Sequence, residues 1–196
     1  MSRKELITGC TFVKDEESLI EERLLQYLDI FDHIIAIDDS TDNTTNILTK
    51  YNTTIVWYRE PWHASNIRNT LASLSTTPWV WFFFPDEKLD TTMSSEEVRA
   101  MVYSHTDKHN VLYIKRWNEM GSEEEDGWKY PDWQSNIIRN YIRYTKPYHE
   151  VPLYSEVEPP SYYPLEEEPI RLIHLRRPCD IIRRDATKWE RRFGDI

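Results

Sequence analysis

Trp79-Val80-Trp81-Phe82-Phe83-Phe84-Pro85-Asp86-Glu87 is the stretch on which the reading of the fold turns. Six consecutive apolar residues are short for a core helix and lack the alternation of a strand with one wet face. They suit a strand covered on both faces, which is how strands of parallel sheets read. Two carboxylates follow directly, after a proline. Residues 33–37 repeat the pattern upstream: an almost wholly apolar run, then Asp38, Asp39, Ser40, Thr41 and Asp42.

Working outward, strands are predicted over 6–13, 33–37, 54–58, 79–84 and 111–117, from β-branched and apolar runs. Helices are predicted between them. Over 17–31, Ile20, Leu24, Leu28 and Phe31 fall on one face; over 64–74, Ile67, Leu71 and Leu74 do. Asp42 is placed to cap a helix carrying Ile47, Leu48 and Tyr51. Ser94 and Glu97 have the spacing of a capping box ahead of Val98, Met101, Val102 and His105. The result is β-α-β-α-β-α-β-α-β over residues 1–117, an α/β class with a mostly parallel sheet and helices on both faces. Ligands in such folds sit beyond the carboxyl ends of the strands, where both acidic clusters emerge.

The second part, 118–196, is less regular. An acidic loop spans 121–127, a strand is expected over 135–140 and another over 171–175. Residues 147–169 hold six of the eleven prolines and read as a long irregular loop with Tyr148, Tyr154, Tyr162 and Tyr163. Pro178 opens a last helix with a basic face that includes Arg183 and Arg184. At 196 residues a single domain is expected.

Composition excludes several classes. Lys plus Arg is 24 and Asp plus Glu is 34, a net charge of −10, against the basic footprint of a nucleic-acid binder. No run of eighteen apolar residues is present, so no transmembrane helix is expected. The first fifteen residues are charged at Arg3, Lys4, Glu5 and Lys14, so no signal peptide is read and a cytoplasmic setting is expected. Cys10 and Cys179 are too few for a disulfide framework and read as small buried hydrophobes. With four glycines there is no P-loop, no G-x-G-x-x-G and no G-x-S-x-G elbow.

Four constellations are candidates for chemistry. Residues 37–44 can accept hydrogen bonds from a base or ribose, or can simply form a capped polar turn. Asp86 and Glu87 suit a hard divalent cation, or a charged turn. Trp62, Asn66, Arg68 and Asn69 open a helix, and Arg68 can grip a phosphate or face solvent. The fourth is Pro131-Asp132-Trp133-Gln134, Arg139, His149-Glu150 and His174, where a carboxylate can take a proton and a histidine can ligate a metal.

Taken in order, Phe12-Val13-Lys14-Asp15-Glu16-Glu17, residues 37–44, Arg68-Asn69, residues 79–89, Pro131-Asp132-Trp133-Gln134, His149-Glu150 and Leu172-Ile173-His174 resemble family 2 glycosyltransferases of the GT-A (nucleotide-diphospho-sugar transferase) fold. The likeness is greatest to the small lipopolysaccharide-type glucosyltransferase branch, which reads K-N-E-E, D-D-G-S-T-D-N-T, R-N, D-A-D-E, P-D-W-Q, H-E and a late His. A looser likeness, to small archaeal-virus members of the fold, rests on no particular residue. The resemblance covers roughly residues 6–190.

The resemblance implies a nucleotide-sugar donor, a divalent metal (Mn²⁺ or Mg²⁺) and inversion at the anomeric carbon. By position it implies Asp38 or Asp39 on the base or ribose, with Thr8 and Thr11 lining the same pocket, and Arg68 near the diphosphate. It implies Asp86 and His174 at the metal, and Glu150 as base with Asp132 as second choice. The acceptor is expected to be a glycan, a protein or a lipid-linked saccharide. Three departures stand out: Phe84 replaces the first carboxylate of D-x-D, the glycine of D-D-G-S is missing, and Asp15 stands where the pattern has Asn. A non-catalytic carbohydrate-binding or assembly protein of the same fold, and a nucleotidyltransferase, are the other readings.

Overall fold

The computed structural model describes residues 5–58, 63–118, 132–145, 151–153 and 161–175. The chain begins with β1 (Ile7–Val13), α1 (Ile20–Tyr27), β2 (His33–Asp38), α2 (Thr44–Lys50), β3 (Thr54–Val56), α3 (Ala64–Leu74) and β4 (Trp79–Phe82). It continues with β5 (Glu87–Thr91), α4 (Ser95–Ser104), β6 (Val111–Asn118), β7 (Asp132–Arg139), β8 (Arg143–Thr145), β9 (Val151–Leu153), β10 (Tyr162–Pro164) and β11 (Ile170–His174).

One large sheet has the order β3-β2-β1-β4-β7-β6-β11-β5, with β10 also on β6. The β-α-β units build the parallel part, β3-β2-β1-β4. β7 then runs antiparallel between β4 and β6, and β5 antiparallel to β11. The sheet is therefore mixed, and strands from the second part of the chain complete it. The class and the helical layers are as expected.

Period-two alternation explains the apolar run that opened the reading. Trp79, Trp81 and Phe83 enter one core with Ile20, Leu24 and Tyr27 of α1 and Val98, Met101 and Val102 of α4. Val80 and Phe82 enter a second core with Ile67, Leu71 and Ala72 of α3. Both faces of β4 are dry, so every position is apolar.

Several expectations are corrected. α1 is shorter than 17–31, and its buried face is Ile20, Arg23, Leu24 and Tyr27, while Leu28 is its C-cap and is exposed. β5 was not expected, because Glu-Lys-Leu-Asp-Thr holds one apolar residue and lies at the sheet edge. The stretch 147–169 contains β9 and β10. The acidic loop and the last helix lie outside the described residues. The Ser94–Glu97 capping box is present in both directions.

Candidate active site

Two loops meet at the carboxyl ends of β1 and β2 and are laced together. Asp15 accepts from the Thr41 amide (2.7 Å) and hydroxyl, Thr44 Oγ1 accepts from the Glu16 amide, and Glu17 accepts from the Asn43 amide. Asp15 has φ 55°, a left-handed conformation that Asn and Asp tolerate best, which accounts for Asn at this place in the family pattern. Asp42 caps as expected in substance, accepting from the Thr44 amide at 2.9 Å, although Asn43 is the formal N-cap.

Asp38 and Asp39 part company here. Asp38 is buried, and accepts from the Ser40 amide (2.9 Å) in its own loop and from the Thr45 hydroxyl (2.6 Å) in the first turn of α2. Asp39 is half-exposed and pairs with Lys14 at 2.6 Å. Of the two, Asp39 is the carboxylate that faces solvent at the strand end.

The second cluster gathers at the link between β4 and β5. The Glu87 amide donates to the Phe84 carbonyl (3.0 Å), closing a β-turn with Pro85 at its first central position and Asp86 at its second. Asp86 Oδ2 lies 3.5 Å from His174 Nε2, and the Asp86 carbonyl accepts from the Leu175 amide at 2.8 Å. The turn thus brings together two residues that are 88 positions apart, because β11 pairs antiparallel with β5 and sets His174 opposite Glu87.

Glu87 points inward and is 2% exposed. Its Oε1 accepts from Arg116 Nη1 at 2.9 Å and its Oε2 from Asn136 Nδ2 at 3.3 Å. Burial pushes its carboxyl above the usual range and the Asp86 charge adds to this, with Arg116 opposing. Arg116 also grips Asp132, through Nη2 at 2.5 Å and Nε at 2.9 Å, since the two face each other across the β6–β7 register. Burial works against the Arg116 charge, but Glu87 and Asp132 outweigh it and raise its pKa. Gln134 donates to the other Asp132 oxygen at 2.8 Å. A bulge opposite Tyr113 inserts one extra residue into β7 next to Asn136.

Arg68 reaches this cluster from α3. Its guanidinium lies over Phe82 (4.8 Å), Tyr144 (5.0 Å) and Phe84 (5.1 Å), and Nη1 is 3.5 Å from Asn136 Oδ1. Asn136 therefore links Arg68, on one face of the sheet, to Glu87 on the other.

The two threonines expected at the donor pocket are both buried in β1. Thr8 is fully buried, pairs with the first residue of β2, and bonds Thr77 at 2.7 Å, at the far end of β1 from the loops. Thr11 is fully buried beside Ala36. Both side chains are enclosed, because β1 is a central strand covered on both faces. Glu150 and His149 lie outside the described residues, as does Cys179, while Cys10 is a buried free thiol. Arg23, Arg116 and Asn136 were not read as site residues. The available signal was Arg23 on the apolar stripe of α1, between Ile20 and Leu24.

Among the described residues no three His, Cys, Asp or Glu side chains gather as a metal cage. Asp86 and His174 could together offer two ligands. Such a pair fits a divalent ion that takes the rest of its shell from water and substrate phosphates.

The model of the glycosyl transferase family 2 matches residues 10–156, three-quarters of the chain. The chain belongs to this family. A search of curated proteins gives no match. Among solved structures, this family 2 chain is similar to S. aureus TarS, with 16% identity and a TM-score of 0.59, over 97% of this chain and 40% of that one. It is likewise similar to TarS 1-349 in complex with UDP-GlcNAc (16% identity, TM-score 0.61, 88% of this chain and 59% of that one). The TarS 1-349 complex with UDP gives 17% identity and a TM-score of 0.53, over 81% of this chain and 60% of that one. These likenesses are of fold. The chain spans 40–60% of the length of those proteins.

Proposed function

We propose that the protein transfers a sugar from a nucleotide-diphosphate-sugar to an acceptor hydroxyl, with inversion. The observation that carries this is the meeting of Asp86 and His174 at the carboxyl edge of the sheet of a family 2 chain, 3.5 Å apart. The donor class is supported by the nucleotide-sugar in the similarly folded TarS 1-349 complex.

The donor lies across the strand ends, with Asp39 turned toward its nucleoside and Arg68 behind the diphosphate. Asp86 and His174 would hold a divalent ion, Mn²⁺ or Mg²⁺, which would supply charge neutralisation for the departing diphosphate. Glu150 takes the proton of the acceptor hydroxyl, whose oxygen attacks the anomeric carbon opposite the leaving group. Asp132 is second choice as base, since both its oxygens already accept from Arg116 and Gln134. The acceptor is a glycan, a protein or a lipid-linked saccharide.

The test is calorimetric binding of a panel of nucleotide-sugars with and without Mn²⁺, followed by turnover assays. Saturable binding of one nucleotide class is expected, with its Mn²⁺-dependent part lost in Asp86→Ala. Glu150→Gln should bind donor and not turn over; turnover in that variant moves the base role to Asp132. No binding to any donor sinks the reading. A second reading, a non-catalytic carbohydrate-binding or assembly protein, is favoured by Phe84. Its ring packs on Phe12 at 5.2 Å where the family pattern has a carboxylate.

A further inference from the structure

Arg23 is the one arginine of α1, and it is 1% exposed. Placing a guanidinium under a helix is costly unless its donors find partners. Its Nε donates to the Pro85 carbonyl at 3.0 Å. Its Nη1 donates to Glu22 Oε1 at 2.9 Å and to Gln26 Oε1 at 3.3 Å. Gln26 Oε1 in turn accepts from the Leu89 amide at 3.2 Å, on β5. Among the described residues, what this side chain bonds outside its own helix is the turn, and its neighbour Gln26 reaches the strand that follows.

The Pro85 carbonyl belongs to the central peptide of the Phe84-Pro85-Asp86-Glu87 turn. Proline at the first central position is compatible with type I and with type II, which differ by a flip of that peptide. Type II needs positive φ at the second central residue, here Asp86. Among the described residues only Asp15 and Asn52 have positive φ outside glycine, so Asp86 is on the type I side. Asp86 itself disfavours the positive φ of type II, and the Arg23 hydrogen bond adds to that bias by holding the Pro85 carbonyl on the type I side. The flip would carry the Asp86 backbone, and with it the direction of its carboxylate.

We propose that Arg23 is a positioning residue: buried beneath α1, it locks the Pro85–Asp86 peptide plane and so aims the Asp86 carboxylate at His174. Its consequence for catalysis rests on the function proposed above; its consequence for the turn does not.

The experiment compares wild type, Arg23→Met and Arg23→Lys by crystal structure, thermal melting and donor-dependent kinetics. In R23M the turn should become mixed in its Pro85–Asp86 peptide, and Asp86 should move from its 3.5 Å approach to His174. kcat/KM for the donor should fall at least about tenfold, as a misplaced ligand group does. R23K, which can still donate to the Pro85 carbonyl, should recover the turn and part of the rate. If R23M does not fold, R23Q replaces it, since its shorter side chain keeps a polar end that cannot span to Pro85. A folded R23M or R23Q with the wild-type turn and the wild-type Asp86–His174 separation overturns the proposal, even if its melting temperature is lower. If wild type transfers no sugar, the functional reading fails, and the turn in the variant crystals still decides the lock.

Discussion

A methyl group added at Gly9 would lie 2.1 Å from Cδ2 of Phe31. Nothing cheap can give way, because the Phe31 ring stacks on Tyr27 at 4.9 Å and packs against Trp81 and Phe83. Gly9 is thus a packing glycine that lets an aromatic cluster close over β1. Gly9→Ala is expected to destabilise the fold by about 1–3 kcal/mol, the usual cost of overpacking, read as a lower urea midpoint with an unchanged slope. At the same scale the site is made by single side chains doing unlike work. Asp38 holds its own loop and Asp39 faces solvent; Asp86 faces His174 and Glu87 faces Arg116. Each pair is identical or nearly so in sequence, and only the alternation of strand and turn separates the roles.

Asp32 shows how an element is anchored. It follows α1, precedes β2, and accepts from the Leu6 and Ile7 amides of β1 at 2.7 and 2.9 Å and from Arg99 of α4 at 3.0 Å. Burial alone would raise its pKa, but the hydrogen bonds from Ile7, Arg99 and Leu6 prevail and lower it below the ordinary carboxylate value of 3.8. A depressed pKa in the folded state means that the unfolded chain binds the proton more readily. The stabilisation is therefore full above about pH 4 and is lost as pH falls through the folded-state value. Asp32→Asn should lower stability by roughly 2 kcal/mol near neutral pH, and the gap to wild type should close in acid, as followed by denaturation at a series of pH values. The α4 capping box gives a second check. Ser94 Oγ accepts from the Glu97 amide at 3.3 Å while the Glu97 carboxylate accepts from the Ser94 amide at 2.7 Å. Ser94→Ala should cost about 1 kcal/mol.

For the whole molecule, a ligand that binds only the folded state raises the melting temperature by mass action. A nucleotide-sugar at about a hundred times its dissociation constant is expected to add about 2.7 kcal/mol, a shift of a few degrees for a chain of this size. Part of that shift should need Mn²⁺. Asp86→Ala and His174→Ala should each remove the Mn²⁺-dependent part, measured by thermal melting. A metal-independent shift in wild type would take both residues out of the metal role and leave donor binding standing.

The alternation of strands and helices over the first 117 residues was legible because it is local. A strand dry on both faces must be apolar at every position, as in β4, and the polar residues that follow it must lie at the sheet edge. That much placed Asp38, Asp39 and Asp86 at one edge, and the order of motifs matched the family. The insertion of β7 between β4 and β6, the edge strand β5, and the burial of Thr8 and Thr11 were not legible. Strand order depends on which long-range pairing closes the sheet, and a five-residue strand with one leucine carries too little pattern to announce itself. The same holds for the charged groups. Whether Arg23, Glu87 and Arg116 are solvated or buried is decided by what packs over them, and their partners come from α1, the β4–β5 turn, β6 and β7. Sequence by itself determined the residue types and the strand ends that carry them; tertiary packing alone decided which carboxylate is exposed, which is clamped and which faces the histidine, because burial and pairing of a charge are properties of its neighbours.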